Sequence, residues 1–382
     1  MGGSAMLDSG NTAWMLTATL LVLMMLLPGL ALFYGGLVRA KNALSVMSQV
    51  LAITALTILL WVGWGYSLAF SGGGPVVGDL AKAGLRGIDG GTLWPVGVEG
   101  RAIPELLFAA FQMTFAAITA ALIVGATAER LRFGAMLLFS ALFLTLVYAP
   151  LAHMVWAADG LIFKLGAIDF AGGTVVHINA GIAGLVAVAF CGPRIGYQKE
   201  AMPPHSLALV LVGAGLLWVG WFGFNAGSAL EANGLAAVAM LNTMVAPAAG
   251  VLAWMALEAW RSGKPSLLGG ASGAVAGLVA VTPAAGISGP LGAILLGASA
   301  SLACTPSSPG PSNGSNSTTA STCSGSTASA GSSDRSARPL PPCQYWADTP
   351  PPIMRWASSW RCRPGRSASP SCGQASARPS PS

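Results

Sequence analysis

The chain has 382 residues, 54% of them hydrophobic and only 8% charged, with a formal net charge of +6. A soluble domain carries about 25% charged residues, so this balance excludes a water-facing surface of that size and points to lipid. The positive charge is no nucleic-acid footprint: seven of the nineteen basic residues lie between Arg335 and Arg378, and most others sit in short breaks between apolar runs.

Met1–Thr12 is polar, lacks a basic n-region and leads directly into an apolar run, so it reads as an uncleaved N-terminus at residues 1–12. A bilayer core takes about 20 apolar residues per helix. Segments of that kind fall at about 13–34, 44–70, 103–127, 133–155, 174–191, 207–228, 235–259, 268–283 and 286–303. The fold class is therefore all-α, a polytopic helical membrane bundle. Several segments are rich in Gly and Ala, the composition of helices packed on one another. Pro104 before Glu105 has the character of a first-turn proline.

Basic residues alternate between loops. Arg39 and Lys41, Arg130 and Arg132, Arg194 and Lys199, and Arg261 and Lys264 follow the first, third, fifth and seventh segments. The intervening loops are poorer in them, apart from the long stretch 71–102, and long translocated loops tolerate charge. This predicts an external N-terminus. Glu129 beside Arg130, and Glu258 near Arg261, read as loop ion pairs.

The fifth segment holds Asp169-Phe-Ala-Gly-Gly-Thr-Val-Val-His177-Ile-Asn-Ala-Gly-Ile-Ala-Gly-Leu185. A histidine in such a run is costly and marks function more often than packing. Gly173, His177, Gly181 and Gly184 share one face, leaving room for a neighbouring helix or a narrow path beside the ring. Asp169 suits an N-terminal cap, a stabiliser of a nearby cation, or both. His153 and His205 lie near helix ends and receive no pore role.

Phe111 and Phe115 are i, i+4 on the third segment, either core rings or rings obstructing a pore. Trp221, Phe224 and Ser228 fall on one face of the sixth. Trp156 ends the fourth, where a tryptophan serves as an interfacial anchor or offers its π face to a cation. No catalytic constellation, phosphate loop or zinc spacing occurs, and no cofactor is implied. Five of the six cysteines lie from Cys304 onward, so no disulfide framework is expected.

These motifs, with Ala110-Phe-Gln-Met-Thr-Phe-Ala-Ala-Ile-Thr119, Ile123-Val-Gly-Ala-Thr-Ala-Glu-Arg130, Gly220-Trp-Phe-Gly-Phe-Asn-Ala-Gly-Ser228 and Gly263-Lys-Pro-Ser-Leu-Leu-Gly269, resemble the ammonium transporter (Amt/MEP) family across roughly Asp8–Ala303. They are more similar to that branch than to the distantly related Rhesus proteins. The resemblance implies a homotrimer in the cytoplasmic (inner) membrane, with one ammonium/ammonia pore per subunit. It implies a recruitment site of Trp156, Phe111 and Ser228, with Asp169 stabilising the cation or its site. It further implies a gate of Phe111 and Phe115, an approach lined by Trp221 and Phe224, and His177 as the first of two pore histidines. In relatives the cytoplasmic C-terminal region docks PII-type signal proteins, and some members act as ammonium sensors.

The family has eleven helices, and its second histidine lies beyond the ninth, in an Asp-Val-Phe-Gly-Val-His-Gly motif missing here. Residues 304–382 are instead a Ser/Pro/Ala/Arg-rich low-complexity tail. Codons Asn316–Gly331, read from the third base of each, permit Leu-Asp-Asp-Ser-Leu-Asp-Val-Phe-Gly-Val-His-Gly, a branched residue and Gly-Gly. The histidine straddles the codons of Ser326 and Thr327. Ser312–Asn316 likewise permits Lys-Arg-Leu-Lys. The tail is therefore expected to be a frameshift product, with one base lost near Cys304, against the alternative of a genuine disordered tail. The 382-residue product as written is expected to fold poorly and not to transport.

Overall fold

The computed structural model describes residues 6–97, 100–197, 199–200 and 202–305. The expected tail lies outside them, apart from Cys304 and Thr305. Eight helices are long and apolar enough to cross a membrane: α1 Ser9–Leu37, α2 Ala40–Phe70, α3 Glu105–Thr127, α4 Phe133–Lys164, α5 Gly173–Cys191, α6 Leu207–Gly227, α7 Gly234–Ser262 and α8 Leu267–Ala284. A shorter apolar helix, α9, runs Pro290–Cys304. The nine apolar segments thus match nine helices.

Helix ends follow local chemistry. Asp8 accepts from the Asn11 N–H at 2.8 Å, so α1 starts four residues before its apolar run. Ser206, Asn233 and Ser266 cap α6, α7 and α8 in the same way. Pro104 does not open α3 from inside: it has extended geometry and immediately precedes Glu105. Its place is the end of a strand.

That strand belongs to a small sheet that periodicity in the sequence did not reveal. β1 (Met6–Leu7) pairs parallel with β3 (Arg101–Pro104), which pairs antiparallel with β2 (Leu93–Val96). Strands of two to four residues are too short to show a period-two pattern.

α3 forms the axis of the bundle and is buried on nearly every face. Tyr34 of α1 donates to the Leu122 carbonyl at 3.0 Å, and Trp61 Nε1 of α2 donates to the Ala109 carbonyl at 3.0 Å. Close helix approach comes from small residues. A Cβ on Gly220 or Gly223 of α6 would collide with the α1 backbone at Leu21 or Ala18, and one on Gly297 of α9 with Ala246 of α7.

Four helices contain wide, π-type turns: Met25–Leu30, Trp61–Gly65, Leu144–Tyr148 and Gly173–Ile178. Pro28 accounts for the first, because a proline has no N–H for the ladder. The last carries His177. Such turns re-aim side chains and recur at functional sites.

At one end of the bundle, Glu129 gathers three loops. Arg39 Nε lies 3.1 Å from its carboxylate, Asn42 Nδ2 2.6 Å and Arg194 Nη1 3.5 Å. Glu129 therefore pairs with distant arginines, not with adjacent Arg130, whose guanidinium donates to the Gly192 and Ala126 carbonyls. Burial alone would push Glu129 up, but Arg39, Asn42 and Arg194 outweigh it and hold the carboxyl below its usual range. This hub puts the loops after α1, α3 and α5 on one side, as the alternation of basic residues requires.

Candidate functional site

All eight residues singled out from the sequence fall in one neighbourhood around α3, α5 and α6. Phe111 and Phe115 approach each other with centroids 4.9 Å apart and rings tilted by 55°. Phe115 lies flat on Phe224, at 4.1 Å and 7°. It also meets Trp156 edge-on at 6.0 Å. Phe224 contacts both Trp221 and His177 at 5.8 Å. The rings form one continuous column from Trp156 to His177.

His177 is buried, and among the described residues neither ring nitrogen has a hydrogen-bond partner. Leaving a polar group unsatisfied in apolar surroundings costs about 1–3 kcal/mol. His153 makes the contrast: its two ring nitrogens face the Ala69 and Gly74 carbonyls at 3.0 and 2.8 Å, so it ties α4 to the end of α2. One histidine holds structure together; the other has both ring nitrogens unpartnered among the described residues.

The backbone explains how His177 is presented. Asp169 sits before α5 and accepts four N–H groups: Gly172 at 3.1 Å, Gly173 at 2.6 Å, Thr174 at 2.8 Å and Val175 at 3.0 Å. Both carboxylate oxygens are occupied, so its direct partners are the helix N-terminus. Burial pushes the Asp169 carboxyl above its usual range, and the four donors partly offset that rise. Gly172 takes a left-handed conformation (φ +94°), which a side chain would strain, and this turns the chain into the wide turn of α5. Gly173 lies against Pro283, with no room for a Cβ.

Trp156 donates through Nε1 to the Asp169 backbone carbonyl at 3.0 Å, which ties α4 to the cap of α5. Ser228, one residue past α6, donates its hydroxyl to the Phe224 carbonyl at 2.8 Å. Gly227 beside it lies against the Phe111 ring. The Ser228 oxygen retains acceptor capacity.

Thr282 was not evident from the sequence. Its hydroxyl accepts from Trp221 Nε1 at 2.9 Å and donates to the Leu278 carbonyl at 2.7 Å. The Thr282-Pro283 pair ending α8 was the available signal. A second missed cluster lies at the N-terminal end of α3. Buried Glu105 accepts from Tyr66 at 2.7 Å and forms an ion pair with Lys82, whose ammonium also sits 5.7 Å from the Trp94 ring centroid. Among the described residues, no group of His, Cys, Asp and Glu has the arrangement of a metal site.

The model of the Ammonium Transporter Family matches residues 13–309. The chain is 48% identical over 298 residues to an ammonium transporter of Bacillus subtilis, covering 78% of this chain and 72% of the relative. Among solved structures it is similar to Saccharomyces cerevisiae Mep2, with 38% identity and a TM-score of 0.71 over 78% of this chain and 68% of that one. A protein described as a sensor Amt protein aligns with a TM-score of 0.70 and 26% identity, over 77% and 73% of the two chains. Each match leaves more than a quarter of the relative uncovered.

Proposed function

The chain belongs to the ammonium transporter family, and from that membership we propose that its aromatic column and His177 form a pore for ammonium/ammonia. The observation that carries this reading is the imidazole at the end of the ring column, buried and free at both nitrogens.

In this reading Trp156, Phe111 and Ser228 recruit the cation on the outer side. A cation over an aromatic face gains ~0.5–2 kcal/mol, and a hydroxyl acceptor adds a direction that a spherical ion cannot use. Phe111 and Phe115 then form the gate, with Phe224 stacked behind and Trp221 lining the approach. Asp169 acts on the site through the backbone, by fixing the first turn of α5 and the Trp156 ring. Past the gate the surroundings are apolar, and a charge at the centre of a membrane helix costs about 2.5–3.5 kcal/mol on insertion scales. Passage therefore favours ammonia after the proton has been handed over, and the open imidazole of His177 is suited to accept or relay it.

The same reading gives a homotrimer in the cytoplasmic membrane, with the N-terminus outside and the Glu129 hub inside. A PII-type signal protein is the expected cytoplasmic partner of an intact member. Sensing is the second reading, favoured by the similarity to the sensor Amt protein. Protein isolated from its native membrane and reconstituted in vesicles separates the two. Saturable uptake of labelled methylammonium supports conduction; binding without flux supports the sensor and overturns the pore.

A further inference from the structure

The Lys82–Glu105 pair lies apart from the ring column. Glu105 and Phe111 are separated on α3 by about 9 Å along the axis and ~120° around it, so they face different sides of the helix. Glu105 is buried in the first turn. Its Oε1 accepts from the Tyr66 hydroxyl at 2.7 Å and also pairs with the Lys82 ammonium. That ammonium lies 5.9 Å from the Tyr66 ring centroid and 5.7 Å from that of Trp94. A carboxylate oxygen and two π faces meet the needs of a primary ammonium: an acceptor for its N–H and negative potential on its other sides.

The walls of this box stand without the lysine side chain. Trp94 stacks flat on Phe108 at 4.1 Å and 7°, and β2 holds its backbone opposite Ile103. Phe70 meets both rings edge-on, with centroids 6.1 Å from Trp94 and 5.1 Å from Phe108. The Glu105 N–H donates to the Thr92 carbonyl at 2.8 Å, which ties the start of α3 to the residue before β2.

The backbone of Lys82 is fixed separately. Its N–H donates to Ser67 Oγ at 3.0 Å, and that hydroxyl donates to the Asp79 carbonyl at 2.8 Å. Trimming Lys82 to its Cβ would therefore leave the box in place around a buried carboxylate that lacks its counter-charge. The resident ammonium is also within reach of water, because the Lys82 side chain is 31% exposed against 5% for Glu105.

We propose that Glu105, Tyr66 and Trp94 form a primary-ammonium site, separate from Trp156, Phe111 and Ser228, which Lys82 fills as a tethered ligand. An ordinary surface ion pair has neither a buried acceptor nor aromatic walls held by other contacts. The ligand class is a short unbranched alkylammonium, with three N–H donors on the head and an apolar stem like that of lysine. A free cation of this class enters only where the lysine side chain has left. This inference does not depend on what the pore carries.

Lys82→Ala removes the equivalent of n-propylammonium, so that amine is the probe. The full chain is purified in detergent and its melting temperature followed against amine concentration. A saturable upward shift is expected for Lys82→Ala, and none for wild type or for Lys82→Ala combined with Glu105→Gln. n-Propanol, which lacks the charge, and tetramethylammonium, which lacks the N–H, should leave Lys82→Ala unchanged. No shift in folded Lys82→Ala, or an equal shift in wild type, overturns the site. Trace acetylation of wild-type protein from native membranes gives a test that needs no variant. Lys82 should react about tenfold more slowly than exposed Lys164, the change given by ~1.4 kcal/mol in the barrier. Equal rates would show that the box does not hold the ammonium and would overturn the proposal.

Discussion

The imidazole of His177 lies nearly parallel to the indole of Trp221, with centroids 5.4 Å apart and an interplanar angle of 17°. Trp221 cannot rotate freely, because Nε1 is tied to Thr282 Oγ1. A ring anchored by a hydrogen bond therefore supports one whose own nitrogens are unpartnered among the described residues.

Replacing His177 with alanine should reduce methylammonium uptake by about tenfold or more, the change given by ~1.4 kcal/mol in the barrier, or admit potassium. Uptake and potassium current are measured together in vesicles. Wild-type values of both would take His177 out of the mechanism.

Thr282→Val keeps the shape but removes the acceptor, leaving the Trp221 N–H buried and unpaired. The expected cost is about 1–3 kcal/mol. Thermal unfolding in detergent should show it, with uptake falling as His177 loses its flat support. Thr282→Ser should restore both, and a Thr282→Val protein as stable as wild type would refute the anchoring role.

The Lys82–Glu105 pair predicts a non-additive cycle. Lys82→Met leaves Glu105 buried without its counter-charge and should destabilise by about 1–3 kcal/mol, below the cost of breaking a fully buried pair because the Lys82 side chain is 31% exposed. Lys82→Met combined with Glu105→Gln should be milder than the sum of the singles. Additive losses would show that the two side chains act separately.

The Glu129 hub sets a pH dependence. Its carboxyl is held below the usual range in the folded chain, so the hub's contribution is present above the ordinary glutamate pKa. It is lost as the pH falls through the lower folded value. Glu129→Gln should lower the melting temperature at neutral pH and flatten its decline in acid. Parallel curves for the two proteins would contradict this.

The helices were legible because each apolar run had the length of a span; the spacing of the rings along single helices left core and pore readings open, and their grouping came from the family resemblance. Contacts between distant segments left no such trace. Arg39 and Glu129 are 90 residues apart, and Trp221 and Thr282 are 61 apart. Adjacency instead suggested the wrong partner, Arg130, for Glu129. Asp169 was legible as a cap from its place before α5, but its hold on all four leading N–H groups depends on the left-handed turn at Gly172, which local composition does not specify.

The stack of Phe115 on Phe224 has a kinetic consequence. At 4.1 Å the rings are in van der Waals contact, with no gap for even a water molecule. If the proposed pore runs through this stack, each crossing awaits a concerted ring rotation, and throughput follows the frequency of that fluctuation rather than diffusion through a standing hole. In that reading the membrane stays sealed between openings, and the electrochemical gradients of other ions survive beside the pore.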